Sequence, residues 1–194
     1  MKRLLFFVLL GVSICAPARE TVSVCFNYSC LNTAEVTYRR SQLLLVSELL
    51  SDAIDAAHER EQLSLAIGVL LGWAGRQSPI WADRGSNFDD DGVYGKMDCI
   101  DHSITTTRLL KMLERKGWLR WHRVLEPEMR NILLFAHWTA VIEEVPQAAF
   151  RDDDPDSRIT FRFAVDSWFR DNGKPAVIQP LGLWMDWKDI DDNE

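Results

Sequence analysis

Beyond its first eighteen residues, the sequence has no apolar run long enough to cross a bilayer as a helix, which takes about 20 residues. Membrane insertion is therefore not expected. Positive charge is also scarce. Lys and Arg number 22 against 29 Asp and Glu, for a net charge of −7. The basic clusters at Arg39-Arg40 and Arg120 to Arg123 are small and separated. Such a chain is no electrostatic match for nucleic acid or an anionic membrane surface. Internal repeats and low-complexity linkers are missing as well. A length of 194 residues then fits a single domain with a proper core. No motif implies an organic cofactor, and the sequence does not specify an oligomeric state.

The first eighteen residues stand apart. Lys2 and Arg3 precede the apolar run Leu4 to Leu10, and Ala16-Pro17-Ala18 is a small-residue cleavage site. This pattern predicts a signal peptide, residues 1–18, cleaved near Ala18. Cys15 invites a lipoprotein reading, but Ile14 is bulky where such signals prefer a small residue. Residues 19–194 are expected to form one soluble domain, secreted or periplasmic. Loss of Lys2 and Arg3 takes its net charge from −7 to −9.

Cysteine is scarce too: of four in the chain, three lie beyond the leader. Cys25 and Cys30 are close enough to close a small disulfide loop, which export would favour and which stabilises little because it is short. Cys99 is then left over. It is an intermolecular link, a reactive thiol or a buried inert residue.

The pattern from Val36 to about Trp73 is helical. Leu43, Val46, Leu49, Leu50 and Ile54 form one stripe, and Leu63, Ile67, Leu70 and Leu71 another, in two helices or in one with a break near His58. Gln77 to Asp98 reads as a loop, rich in Gly and Asp. A third helix is predicted from Cys99 to a stop at Gly117, with Ile104, Leu109, Leu110 and Leu113 on its buried side. Strands follow. In 118–125, Leu119, Trp121 and Leu125 alternate with Arg120, His122 and Val124. Residues 131–144 are apolar almost throughout, as in a central strand, and 157–169 alternate through Ile159, Phe161, Phe163 and Val165. A turn over 170–175 leads to a last strand. Helices first and strands second predict an α+β fold, with N-terminal helices packed on an antiparallel sheet. The acidic tail 189–194 is expected to be solvated.

Cys99 thus falls at a helix N-terminus. Unpaired N–H groups there favour the thiolate and offer donors to an oxyanion. A cysteine nucleophile needs a base and a group to orient it. His58 reads as part of a solvated helix face, and His122, flanked by Arg, as a surface residue. His102 shares the helix of Cys99, which leaves little room for a substrate between them. His137 sits in the most apolar strand, where a polar ring requires a partner. Asp166 interrupts an alternating strand and can supply that partner. Asp171 is a weaker rival that the turn already explains.

The order Cys, His, Asp, with "DCID" opening a helix and "HWTAVI" and "FAVDSWF" on strands, resembles the transglutaminase-like branch of the papain-type fold. It is most similar to the bacterial transglutaminase-like cysteine proteinases, which are exported. The resemblance covers about Trp81 to Trp184 and implies Cys99 as nucleophile, His137 as general base and acid, and Asp166 as orienter. It implies cleavage or transfer of an amide in a protein or peptide substrate. The acidic loop before Cys99 departs from the family's glycine-rich one, and Gln77 and Trp81 are upstream candidates for completing an oxyanion hole.

Three other readings compete. Asn87, Asp89, Asp91, Gly92 and Asp98 occupy positions of a calcium-loop template, although two of its key ligands are substituted. Cys99, His102 and Asp98 or Asp101 are zinc ligands by type, without a clear fourth. The chain also reads as a non-catalytic exported binding module. Trp73, Trp118, Trp138 and Trp168 are then core, and Trp184 and Trp187 line a cleft.

Overall fold

The computed structural model describes residues 19–87, 89–132, 135–145 and 161–187. The predicted signal peptide, Ile159 and the acidic tail lie outside the described residues. The architecture is a mixed α+β fold with antiparallel sheets. Among the described residues, no helix is long and apolar enough to cross a membrane.

The described residues begin with strands rather than helices. Strands β1 (Glu20–Phe26) and β2 (Asn32–Tyr38) form an antiparallel hairpin with Val22 opposite Val36 and Val24 opposite Ala34. Val36, expected at the head of a helix, is therefore a strand residue. Its face carries Val22, Val24, Val36 and Tyr38 into the core, a period-two pattern that fits a half-buried hairpin. The connecting turn holds Asn27, Tyr28, Ser29 and Cys30 at φ of 66, 65, 55 and 55°. A left-handed backbone costs about 1–2 kcal/mol per non-glycine residue, so this turn needs outside support. A Cys25–Cys30 disulfide closes it.

Helices α1 (Arg40–Ser51) and α2 (Ala56–Gly75) follow, two helices as expected, with the break just before His58. Asp55 caps α2 by accepting the His58 N–H at 2.7 Å. Ile54 leaves the predicted stripe and is exposed, because it lies in the linker between the helices. Leu63, Ile67, Leu70 and Leu71 are buried as expected. Burial of each such side chain is worth roughly 1.5–3 kcal/mol. A short 3-10 turn, Pro79–Ala82, interrupts the loop that leads to α3 (Cys99–Arg115). Gly117 ends this helix at φ 69°, which a residue with a Cβ adopts only with strain.

The second sheet contains β3 (His122–Val124), β4 (Glu128–Ile132), β5 (Phe135–Glu144), β6 (Arg162–Asp166) and β7 (Val177–Pro180). The run 131–144 is thus shared by two strands rather than one. β5 is central: β3, β4 and β6 all pair with it antiparallel, and β7 pairs with β6. The stretch 170–175 is a turn, with Lys174 N–H bonded to the Asp171 carbonyl at 3.0 Å. The final strand gives way to a helical turn, α4 (Leu181–Met185).

Both faces of the second sheet are covered. Ala140, Ile142, Phe163 and Val165 join the core built with α2 and α3. Val141 and Ala164, on the opposite face, pack with Leu181 and Trp184. This two-sided burial explains why β5 reads as almost continuously apolar.

His122 is not at the surface. It is 3% exposed, and its Nδ1 lies 2.8 Å from the carboxylate of Glu59, which is itself 0% exposed. Glu59 also accepts the N–H groups of Arg120 at 2.7 Å and Trp121 at 3.1 Å. The charged face around His58 therefore contains a buried carboxylate that fastens α2 to the approach of β3. Burial raises its pKa, but bonds from His122 and the two amides outweigh that and lower it.

Candidate active site

The register of β5 and β6 sets the first contact. Ala140 opposes Val165, so Thr139 falls beside Asp166 and His137 diagonal to it on one face. The His137 Nε2 and Asp166 Oδ2 are 2.7 Å apart. Asp166 is 2% exposed and His137 5%. The carboxylate is held further: Trp184 Nε1 donates to Oδ2 at 3.0 Å, and the Trp168 N–H donates to Oδ1 at 3.1 Å. Asp166 therefore also closes a turn, without giving up its bond to the histidine.

Cys99 begins α3. Asp98 is the N-cap, accepting the Asp101 N–H at 2.8 Å, and Asp101 returns the favour to the Asp98 N–H at 3.2 Å. The half-buried thiol lies 3.9 Å from the Ala136 carbonyl, next to His137. Burial alone would lower the His137 pKa. The bond to Asp166, the Cys99 sulfur and the charge on both raise it instead, to about 9. With Nε2 committed to Asp166, Nδ1 is the nitrogen left for the sulfur. All three predicted site residues, Cys99, His137 and Asp166, are thus brought together.

An aromatic wall surrounds the imidazole. Ring centroids of Trp168, Phe169, Trp184 and Trp187 lie 4.9, 5.5, 5.7 and 6.4 Å from that of His137. Trp184 is 0% exposed and serves Asp166, so it does not line an open cleft as expected. Arg130, opposite His137 in the β4–β5 ladder, stacks on Trp187 at 3.7 Å and Trp184 at 4.4 Å from the ring centroids. Trp184 and Arg130 carried no signal of these roles in the sequence.

The remaining candidates are placed elsewhere. His102 turns away from Cys99, with Nε2 2.9 Å from Asp83 and Nδ1 2.8 Å from Ser167. Ser167 also bonds Thr106 at 2.9 Å. This buried chain ties α3 to the residue that follows Asp166, and it leaves no ring nitrogen for a zinc site with Cys99. The Gln77 amide is engaged at both ends, by the Thr37 N–H and the Trp73 carbonyl, and Trp81 is exposed. No hydrogen bond links either of them to the thiol. Asp171 accepts the Gly85 N–H at 3.1 Å and pairs with Arg84.

In the acidic loop, two of the carboxylates are engaged by the chain itself. Asp98 spends its oxygens on the N–H groups of Asp101 and Ser29. Asp90 bonds Asn87, Lys96 and the Tyr28 hydroxyl. Among the described residues, the one group of three potential metal-ligating side chains whose ligand atoms converge is Cys25, Cys30 and Asp101, and there the sulfurs are joined as a disulfide. Comparison of the chain with models of protein families, with curated proteins and with solved structures returned no match.

Proposed function

We propose that the protein is an exported thiol-dependent hydrolase or acyl transferase, built on a transglutaminase-like, papain-type core and acting on amide bonds of a protein or peptide. One observation carries the reading: a half-buried thiol at a helix start beside a buried His137–Asp166 pair at 2.7 Å. A raised imidazole pKa of about 9 favours the thiolate–imidazolium pair near neutral pH.

In the proposed reaction, the Cys99 proton passes to His137 Nδ1 and the sulfur attacks the substrate carbonyl carbon. The oxyanion meets N–H groups at the start of α3, where no intrahelical acceptor competes for them. His137 returns the proton to the leaving nitrogen, the C–N bond breaks, and a thioester remains. Water or an amine then attacks the thioester with His137 as base, which releases the acid or a new amide. Asp166 keeps the imidazole oriented throughout and stabilises its charged form.

The test is to incubate the protein with a proteome-derived peptide library and, in parallel, with casein and dansylcadaverine. New peptide termini report hydrolysis, and dansyl incorporation reports amine transfer. At least one is expected, and it should vanish in Cys99→Ala. Neither product, together with iodoacetamide labelling of Cys99 no faster than a model thiol, would leave the binding-module reading in possession.

A further inference from the structure

We propose that the disulfide-closed turn between β1 and β2 is a positioning element for Cys99, acting through the two aspartates that flank it. The inference rests on the catalytic reading above and adds to it a set of residues more than 65 positions away in the sequence.

Three successive amides of the turn point at the start of α3. Tyr28 N–H donates to Asp101 Oδ2 at 2.8 Å, Ser29 N–H to Asp98 Oδ2 at 2.9 Å, and Cys30 N–H to Asp101 Oδ1 at 2.7 Å. Consecutive N–H groups in such a conformation form a concave anion site. Its occupants are the two carboxylates that cap each other around Cys99. The grip extends in both directions. Asn27 N–H bonds the Lys96 carbonyl at 2.7 Å, and the Gly95 N–H bonds Asn27 Oδ1 at 2.7 Å, which fixes the loop entering Cys99. Cys25 N–H bonds Thr105 Oγ1 at 2.9 Å, and Arg108 Nη1 reaches the Cys25 sulfur at 3.3 Å, which fixes the helix leaving it.

The disulfide gives this arrangement its dependence. Four adjacent residues without the freedom of glycine are held left-handed inside the ring it closes. Opened, the turn relaxes toward ordinary backbone, its amides leave the carboxylates, and two neighbouring aspartates repel at the helix start. The sulfur of Cys99 then loses its fixed place against His137. A misplacement near 1 Å is enough to cost a reaction orders of magnitude in rate.

The test compares the intact protein, a Cys25→Ala/Cys30→Ala double variant and Asp101→Asn, whose disulfide is retained but whose amide must present a donor to one of the turn amides. Iodoacetamide labelling of Cys99 at pH 7.5, read by peptide mass spectrometry, is expected to slow about tenfold or more in both variants. Hydrogen exchange should accelerate at Asp101 and His102 while Leu109 to Leu113 stay protected. Wild-type labelling and exchange in folded variants would overturn the proposal. So would global unfolding of both, which would make the turn a general support rather than a positioning element. If Cys99 of the intact protein reacts like a free thiol, the catalytic reading fails, and hydrogen exchange alone still decides whether the turn holds the helix start.

Discussion

Replacing Asp166 by Asn keeps the side-chain shape and removes the charge. The carboxylate faces three donors: His137 Nε2 at 2.7 Å, Trp184 Nε1 at 3.0 Å and the Trp168 N–H at 3.1 Å. An amide offers one oxygen and one NH2, so in either orientation it sets a donor against a donor. The cost is about 1–3 kcal/mol for the unsatisfied group, or roughly 3–9 °C in Tm for a chain of this size. The effect on the imidazole is larger. Burial already works against its charged form, and Asp166 is the first of the groups that offset burial to reach about 9. A fall from about 9 to an ordinary 6.5 corresponds to roughly 3 kcal/mol. At pH 7.5 the imidazolium share then drops from nearly all molecules to about one in ten. Iodoacetamide labelling of Cys99 across pH 5 to about 10 reads this directly, because the thiolate–imidazolium pair is the fast species. Asp166→Asn should label about tenfold more slowly at pH 7.5 and approach the wild-type rate only where the free thiol ionises by itself. Equal rates at pH 7.5 in a folded variant would refute the argument that Asp166 sets the charge of His137.

Further outcomes follow from the packing. Glu59→Ala removes the acceptor of two part-buried amides and of the buried His122 ring, and should cost about 3 kcal/mol or more, a Tm loss near 10 °C by calorimetry. Gly68→Ala sets helix propensity against packing: propensity alone would add about 1 kcal/mol. A Cβ there would stand 2.6 Å from the Lys174 carbonyl oxygen, so urea denaturation should show a net loss of about 1–3 kcal/mol. The raised His137 pKa also gives a stability window. Its contribution is full below the unfolded value of 6.5 and is lost as pH rises through about 9, so wild type should lose stability relative to His137→Phe between those limits. A pH-independent difference would contradict this.

Much of the site was legible because its residues break local patterns. A histidine inside an apolar strand and an aspartate after an apolar run each demand a partner, and the strand register brings the two demands together. The helix that begins at Cys99 was legible from its stripe and from Gly117. The N-terminal hairpin was not read, although Val22, Val24 and Phe26 alternate, because the nearby cysteines suggested a loop and Val36 suggested a helix. The Glu59–His122 pair was hidden for a different reason. Its members lie 63 residues apart, each among charged neighbours that resemble a solvated face, and only the approach of α2 to β3 buries them. The same holds for Asp83, His102 and Ser167, whose pairing depends on where three separate elements meet. The spacing allowed the disulfide but carried no sign of its purchase on Asp98 and Asp101. A five-residue separation sets the ring size and says nothing of what the ring touches.

The account stands on the coupling of Cys99, His137 and Asp166, and an NMR titration of the His137 imidazole reads that coupling without any substrate. With the ring labelled, its resonances should titrate near pH 9 in the intact protein and at clearly lower pH in both Cys99→Ala and Asp166→Asn. A titration near 6.5 that neither substitution moves would contradict the account.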